Sequence, residues 1–241
     1  MRLRTTLTVL CLLAAALFVA PAARAAEIRN GDRVVIAAGE VIDDDLIVSA
    51  ETVIIDGTVT GDLIATGTNV TLNGLVQGSA LLAGQTLRVA GQVDGSLYAG
   101  GYAVTLDEGA VVGRNAYFGG YSVATRPDSL VNRDFYAAGL QMLHDGIVTR
   151  DLAVALSALH VNGIVGGDVR GDVTVDPNAI DWTQFAPNMP YRVETLSPGL
   201  VVGPTAEIGG EVAVRETVVQ ATATPEPETG FAGLPVWLSN R

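Results

Sequence analysis

Gly57-Thr58-Val59-Thr60-Gly61-Asp62-Leu63-Ile64-Ala65-Thr66-Gly67-Thr68-Asn69-Val70-Thr71-Leu72-Asn73 is one row of a pattern that recurs along the chain. Apolar and polar residues alternate over four or five positions, a Gly or Asp interrupts, and alternation resumes; this is the signature of short strands separated by corners. The next rows open at Gly74 and Gly91, each 17 residues on. Extended in both directions, G-x-V openings stand at Gly39, Gly57, Gly74, Gly91, Gly109, Gly146 and Gly163, with Ser129-Leu130-Val131 in the same role. The first apolar column then reads Val41, Val59, Val76, Val93, Val111, Val131, Val148 and Val165.

Further columns follow at fixed offsets. Leu63, Ala80, Leu97, Phe135, Leu152 and Val169 form one, with Leu46 displaced by a residue in the first row. Val70 and Leu72, Leu87 and Val89, Val104 and Leu106, Met142 and His144, and Leu159 and Val161 form two more. A row that returns to the same side-chain type every 17 or 18 residues is one coil of a β-solenoid, each coil pairing in parallel with the next. No stretch after residue 26 sustains an apolar period of 3.6, so the fold class expected is all-β, a parallel β-helix of eight to ten coils.

The hexapeptide rule of left-handed acyltransferase helices fails here: from Val59 the positions i+6 and i+12 are Ala65 and Thr71, and from Val76 they are Leu82 and Arg88. The pattern G-x-V-x-G-D-L-x-A at the head of a row and V-x-L-x-G at its end resembles the bactofilin, or polymer-forming cytoskeletal, family. Gly57 to Ala65 matches best, and Gly91-Gln92-Val93-Asp94-Gly95-Ser96-Leu97 matches well. The resemblance spans about residues 39 to 176. It implies a right-handed β-helix that polymerises end to end without nucleotide, with no cofactor and no catalytic signature.

Composition agrees with such a stack and closes other doors. Of 241 residues 28 are Gly and only 5% are aromatic, so a narrow core of Val, Leu, Ile and Ala is expected. All 14 basic residues are Arg, which excludes a Schiff-base lysine and a Walker A lysine. A net charge of −12 repels phosphate backbones, so neither nucleic acid nor nucleotide is an expected partner. Cys11 is the only cysteine, leaving no intrachain disulfide and no cysteine metal cluster.

The segment 1–25 reads as an export signal: Arg2 and Arg4, an apolar run from Leu7 to Ala20, then Ala23-Arg24-Ala25. Export to the periplasm or cell envelope is expected, the alternative being an anchor formed by an uncleaved leader or by a continuation beyond Arg241. Typical bactofilins lack such a leader. Residues 26–176 form the repeat domain; 177–199, holding Trp182, Phe185 and Tyr191, read as a cap over the last coil or its flank. Residues 200–219 read as a degenerate coil or strand pair, and 220–241 as a proline-bearing linker and tail.

Candidate functional residues are few. A non-enzymatic scaffold that associates with copies of itself would use unpaired backbone at a terminal coil, and Val34, Val35, Ile36 and Val41 mark the N-terminal one. Membrane or cell-wall components are the other partners open to an exported chain. The column Asp62, Ser79, Ser96, Arg114, Asp134, Asp151 and Asp168 contains three aspartates in successive rows. Asp134, Asp151 and Asp168 fit either a calcium site or the carboxylate pair of a glycan-cleaving enzyme, or else corners capped by Asp and Ser, with Arg133 and Arg150 relieving repulsion. Tyr98, Tyr102, Tyr117 and Tyr121 cluster near glycine pairs and are the residues of an alternative glycan-binding, adhesive role. His144 and His160 fall at adjacent row positions, so one is expected inside the solenoid and one outside.

Overall fold

The computed structural model describes residues 26–175 and 193–218, and among them there are strands and turns but no helix. The protein is all-β, a solenoid of stacked coils whose strands pair in parallel throughout. Each coil has three legs. In the strand Leu63–Leu72 the buried side chains are Leu63 and Ala65, then Val70 and Leu72. Strict alternation would keep one parity, so the change marks a bend that splits this strand into legs A and B. In the coil of Leu152 the chain breaks there outright, into Leu152–Leu156 and Ala158–Val161. Leg C is a two-residue strand such as Leu75–Val76 with one inward side chain. Legs A and B stack into a 12-stranded sheet and leg C into a 9-stranded one.

The core lies between the legs and is filled in columns. Leu46, Leu63, Ala80, Leu97, Ala116, Phe135, Leu152 and Val169 pair in register, and all are buried. The inward neighbours two residues on complement them in size: Leu63 with Ala65, Ala80 with Leu82, Leu97 with Ala99, Ala116 with Phe118, Phe135 with Ala137. From Leu63 to Phe135 large and small thus alternate along these two columns and across each rung, which holds the volume per coil nearly constant as close packing requires. Phe118 and Phe135 meet edge to face with ring centroids 4.9 Å apart.

Two of the eight valines sit elsewhere than the G-x-V template places them. Ile42, not Val41, pairs with Val59, and Val112, not Val111, pairs with Val93. Val41 is 59% exposed while Ile42 and Val112 are buried. The cause is a wider corner. Ala37–Glu40 and Asp107–Ala110 are four-residue turns closed by Glu40 N–H to Ala37 O at 2.9 Å and Ala110 N–H to Asp107 O at 3.1 Å. Their third residues, Gly39 and Gly109, have φ of +84° and +75°. These are left-handed turn glycines, unlike Gly74, whose added Cβ would stand 1.9 Å from the Gly57 carbonyl oxygen of the coil before. The wider turns lengthen coils to 19 residues: Ala37–Glu40 the coil from Glu27 to Leu46, and Asp107–Ala110 the coil from Val93 to Val112. A third turn of the same kind, Arg126–Ser129 with Asp128 at a φ of +59°, lengthens the coil from Val112 to Val131 to 19 residues as well. The same shift moves Arg114 out of the aspartate column and puts Asn115 in its place.

The strand Val169–Val175 ends at the edge of the described residues, and the aromatic segment expected as a cap lies for the most part in 176–192, outside them. Residues 193–198 return along the flank of earlier coils. The buried Gln141 side chain accepts from Leu196 N–H at 3.0 Å and donates to Glu194 O at 2.6 Å, pairing with the returning segment as a neighbouring strand would. Gly199–Val202, Glu207–Ile208 and Val212–Val218 then add the last legs of the solenoid.

Coil spacing decides where a side chain fits. Gly74→Ala is expected to destabilise by about 3 kcal/mol because backbone lies in the way. Gly100 has nothing within 4 Å of an added Cβ, so Gly100→Ala is expected to be neutral or to stabilise by about 0.5–1 kcal/mol. Denaturant unfolding of the two variants measures both.

Candidate functional site

The aspartate column is a ladder of corner caps. Where leg C turns into leg A the corner residue's N–H points at the coil before, and a side-chain oxygen there accepts it. Asp45 Oδ1 takes Asp62 N–H at 2.7 Å, Asp62 Oδ1 takes Ser79 N–H at 2.7 Å, and Ser79 Oγ takes Ser96 N–H at 3.2 Å. Farther along, Asn115 Oδ1 takes Asp134 N–H and Asp134 Oδ1 takes Asp151 N–H, both at 3.4 Å. Asp151 then takes Asp168 N–H at 3.0 Å and Asp168 takes Glu211 N–H at 2.9 Å. The G-D of the motif follows from this geometry: a Cβ on Gly78 would stand 2.3 Å from Asp62 Oδ1, so glycine lets the oxygen come close to its donor, and where Arg133 and Arg150 take the glycine's place the bond lengthens to 3.4 Å.

Asp134, Asp151 and Asp168 therefore do stand in successive coils, each with one carboxylate oxygen engaged by backbone. Arg150 Nε lies 3.5 Å from Asp134, and Arg170 contacts both Asp151 and Asp168. The donated Asp168 N–H, followed by the nearby Arg170 and Arg150, holds the Asp151 carboxyl below its ordinary range. Among the described residues no group of three or more His, Cys, Asp or Glu side chains is arranged to hold a cation.

His144 is buried in the core and His160 is on the outside, bonded to Ser197 O at 3.0 Å. Thr125 Oγ1 accepts from Asp145 N–H and Gly146 N–H, so its own proton is left for His144 Nδ1 at 2.8 Å. That assigns the other imidazole proton to Nε2, which donates to Ile164 O at 3.3 Å. Burial pushes the imidazole below its ordinary pKa.

The two ends of the stack differ in chemistry. At the N-terminal end Val34 and Ile36 point into the core, whereas Val35 and Val41 face outward, as does Ile28. Glu27 and Arg29 occupy the inward columns above Leu46 and Val48. Arg29 bridges Glu27 and Glu40 at 2.7 Å each, and Glu40 also accepts Ala37 N–H at 3.0 Å, so an ion-paired cluster roofs the core. At the C-terminal end Val202 pairs with Val161 and Val212 with Val169, so both stand in inward columns. They are nonetheless 49% and 42% exposed, and Leu200, Ile208 and Val214 beside them are only partly covered. The sequence expectation missed both the roof and the open end; the signal available was polar residues in the first row's apolar columns and valines in the last row's.

The tyrosines form two ladders on the outside. Tyr98, Tyr117 and Tyr136 stack at 4.8 and 4.9 Å with interplanar angles of 4° and 5°, and Tyr102 stacks on Tyr121 at 4.9 Å. Tyr136 was not among the residues expected from the sequence. No family model, curated protein or solved structure matches the chain.

Asp62→Ala leaves the Ser79 N–H without its acceptor and is expected to cost about 1–2 kcal/mol, whereas Asp62→Asn, which keeps an oxygen there, is expected to cost much less. Chemical denaturation reads the difference. For His144 the folded pKa lies below the unfolded 6.5, so the unfolded chain binds the proton more readily. Stability is complete above pH 6.5 and falls as pH drops from there towards the folded pKa, at up to about 1.4 kcal/mol per pH unit. Unfolding free energies measured between pH 7 and 5 are expected to show this slope, and His144→Leu to flatten it.

Proposed function

We propose that this chain is a non-enzymatic structural protein of the cell envelope that assembles with copies of itself through the C-terminal end of its solenoid, without nucleotide. One observation carries the reading: the final coil presents Leu200, Val202, Ile208, Val212 and Val214 as an apolar plane edged by strands that, among the described residues, pair on one side only. Exposed inward-column valines and unpaired strand edges are together what a second coil covers.

The polar roof decides the geometry of association. A head-to-tail stack would bring Glu27 and Arg29 down on the columns of Val212 and Val214, and burying that ion pair against valine costs more desolvation than it returns. Tail-to-tail contact between two C-terminal ends has no such cost and is self-complementary about a two-fold axis. This moves the contact from the N-terminal coil, expected from Val34, Val35, Ile36 and Val41, to the opposite end. The bactofilin-like motif and the export-type leader favour the same general role, a self-associating scaffold outside the cytoplasm.

Sedimentation velocity of the purified chain over a wide concentration range tests the proposal. Reversible dimers are expected, and Val202→Glu/Val212→Glu is expected to leave monomers with an unchanged circular dichroism spectrum. Dimers that survive this double substitution, or that vanish on Arg29→Glu instead, would place the contact elsewhere.

A further inference from the structure

We infer that the outer face of leg A holds a slot for one hexopyranose ring of a glycan, seated on the free face of Tyr136 above Ala153. The inference is independent of self-association. One outward column of this face runs Leu81, Tyr98, Tyr117, Tyr136, Ala153, Arg170. Tyr117 has both ring faces covered, by Tyr98 and Tyr136, and its hydroxyl accepts from Asn115 Nδ2 at 3.0 Å. It offers a ligand nothing but an edge. Tyr136 ends the ladder: Ala153 on the next rung supplies only a methyl, and Tyr136 is 41% exposed.

The floor beside it is bare for no packing reason. Gly119 pairs with Ala138, and Ala138 with Ala155, forming the second outward column. A Cβ on Gly119 would meet nothing nearer than Ala138 O at 3.9 Å, and its φ is not left-handed. A strand glycine that neither sterics nor dihedral requires leaves the backbone open to close approach by a ligand, and Gly100 one rung before is of the same kind. The resulting groove, about 490 Å³, runs over Gly119, Ala138, Ala153 and Ala155 alongside the tyrosines.

Chemistry selects the occupant. Tyr136 offers one bare aromatic face, while Arg170, two rungs on, reaches back to Asp151 on the Ala153 rung and leaves the groove lined by Tyr136, Gly119, Ala138, Ala153 and Ala155. A puckered pyranose chair pairs an apolar C–H face with a polar edge, as this half-open site requires. Its C–H face covers the Tyr136 ring, while its hydroxyls meet a polar rim on the far side. There Arg170 is turned to Asp151 and Asp168, and Asp172 follows Ala155 in the second column. The net charge of −12 selects a neutral sugar over an anionic one.

Saturation-transfer NMR and calorimetry of the purified chain with cellobiose, chitobiose and mannobiose, and with p-cresol as the flat-ring probe, test the slot. At least one disaccharide is expected to bind with a Kd of about 1 mM, as one exposed ring site allows, and p-cresol is expected to bind at least tenfold more weakly. Tyr136→Leu, which repeats the Leu81 rung, is expected to weaken sugar binding at least tenfold. Ala153→Tyr extends the ladder into the slot, removes no wild-type contact group, and is expected to abolish binding. Failure of all three disaccharides, preference for p-cresol, or binding retained in Ala153→Tyr would each overturn the inference.

Discussion

The parallel backbone ladder between successive coils governs the rest of the molecule. Once each strand pairs with its equivalent one coil away, every residue sits directly above its counterpart, and side chains are sorted into columns with a single environment each. An inward column must be apolar or, as at Thr125 and His144, internally hydrogen-bonded, a corner column must satisfy the same N–H again and again, and a close-approach column must be glycine. The valine column, the aspartate ladder and Gly74 answer these three demands.

That constraint is why so much of the fold is legible in the letters. Columns through Leu63, Val70 and Leu72 are visible because the packing rule repeats in coil after coil, with Thr125 and His144 the polar exception in the last of them. Misplacement of Val41 and Val111 has an equally physical origin, because one letter serves two purposes. Gly39 and Gly109 are glycine for a left-handed turn, whereas Gly74 and Gly91 are glycine because a carbonyl of the previous coil leaves no room for Cβ. A template matched on letters cannot separate the two, and the wider turn shifts everything after it by one position. The aspartate column was legible as a column, but its role depends on an N–H one coil away, at a distance sequence spacing does not encode.

The ends and the flank were less visible, since they are where the repeat stops being regular. Glu27 and Arg29 look like ordinary surface residues until the register places them above Leu46 and Val48. Tyr136 looks like one more rung until Ala153 interrupts the series. Irregularity in a solenoid is therefore informative: the ion-paired roof, the uncovered valines and the broken tyrosine ladder each depart from a pattern the rest of the chain obeys, and each falls on a surface that faces outward.

The alternation of large and small core residues has a consequence for how such a chain grows. From Leu63 to Phe135 the columns are a checkerboard in which Leu or Phe stands next to Ala along the axis and across it. Backbone pairing alone would accept a coil inserted, deleted or slipped by one, because every rung has the same hydrogen bonds. The checkerboard would not, since one step sets large on large and leaves a void beside it. In this part of the stack the unit that can be copied or lost without repacking is two coils, not one, so the lengthening of this protein by duplication is quantised at twice the period its sequence displays.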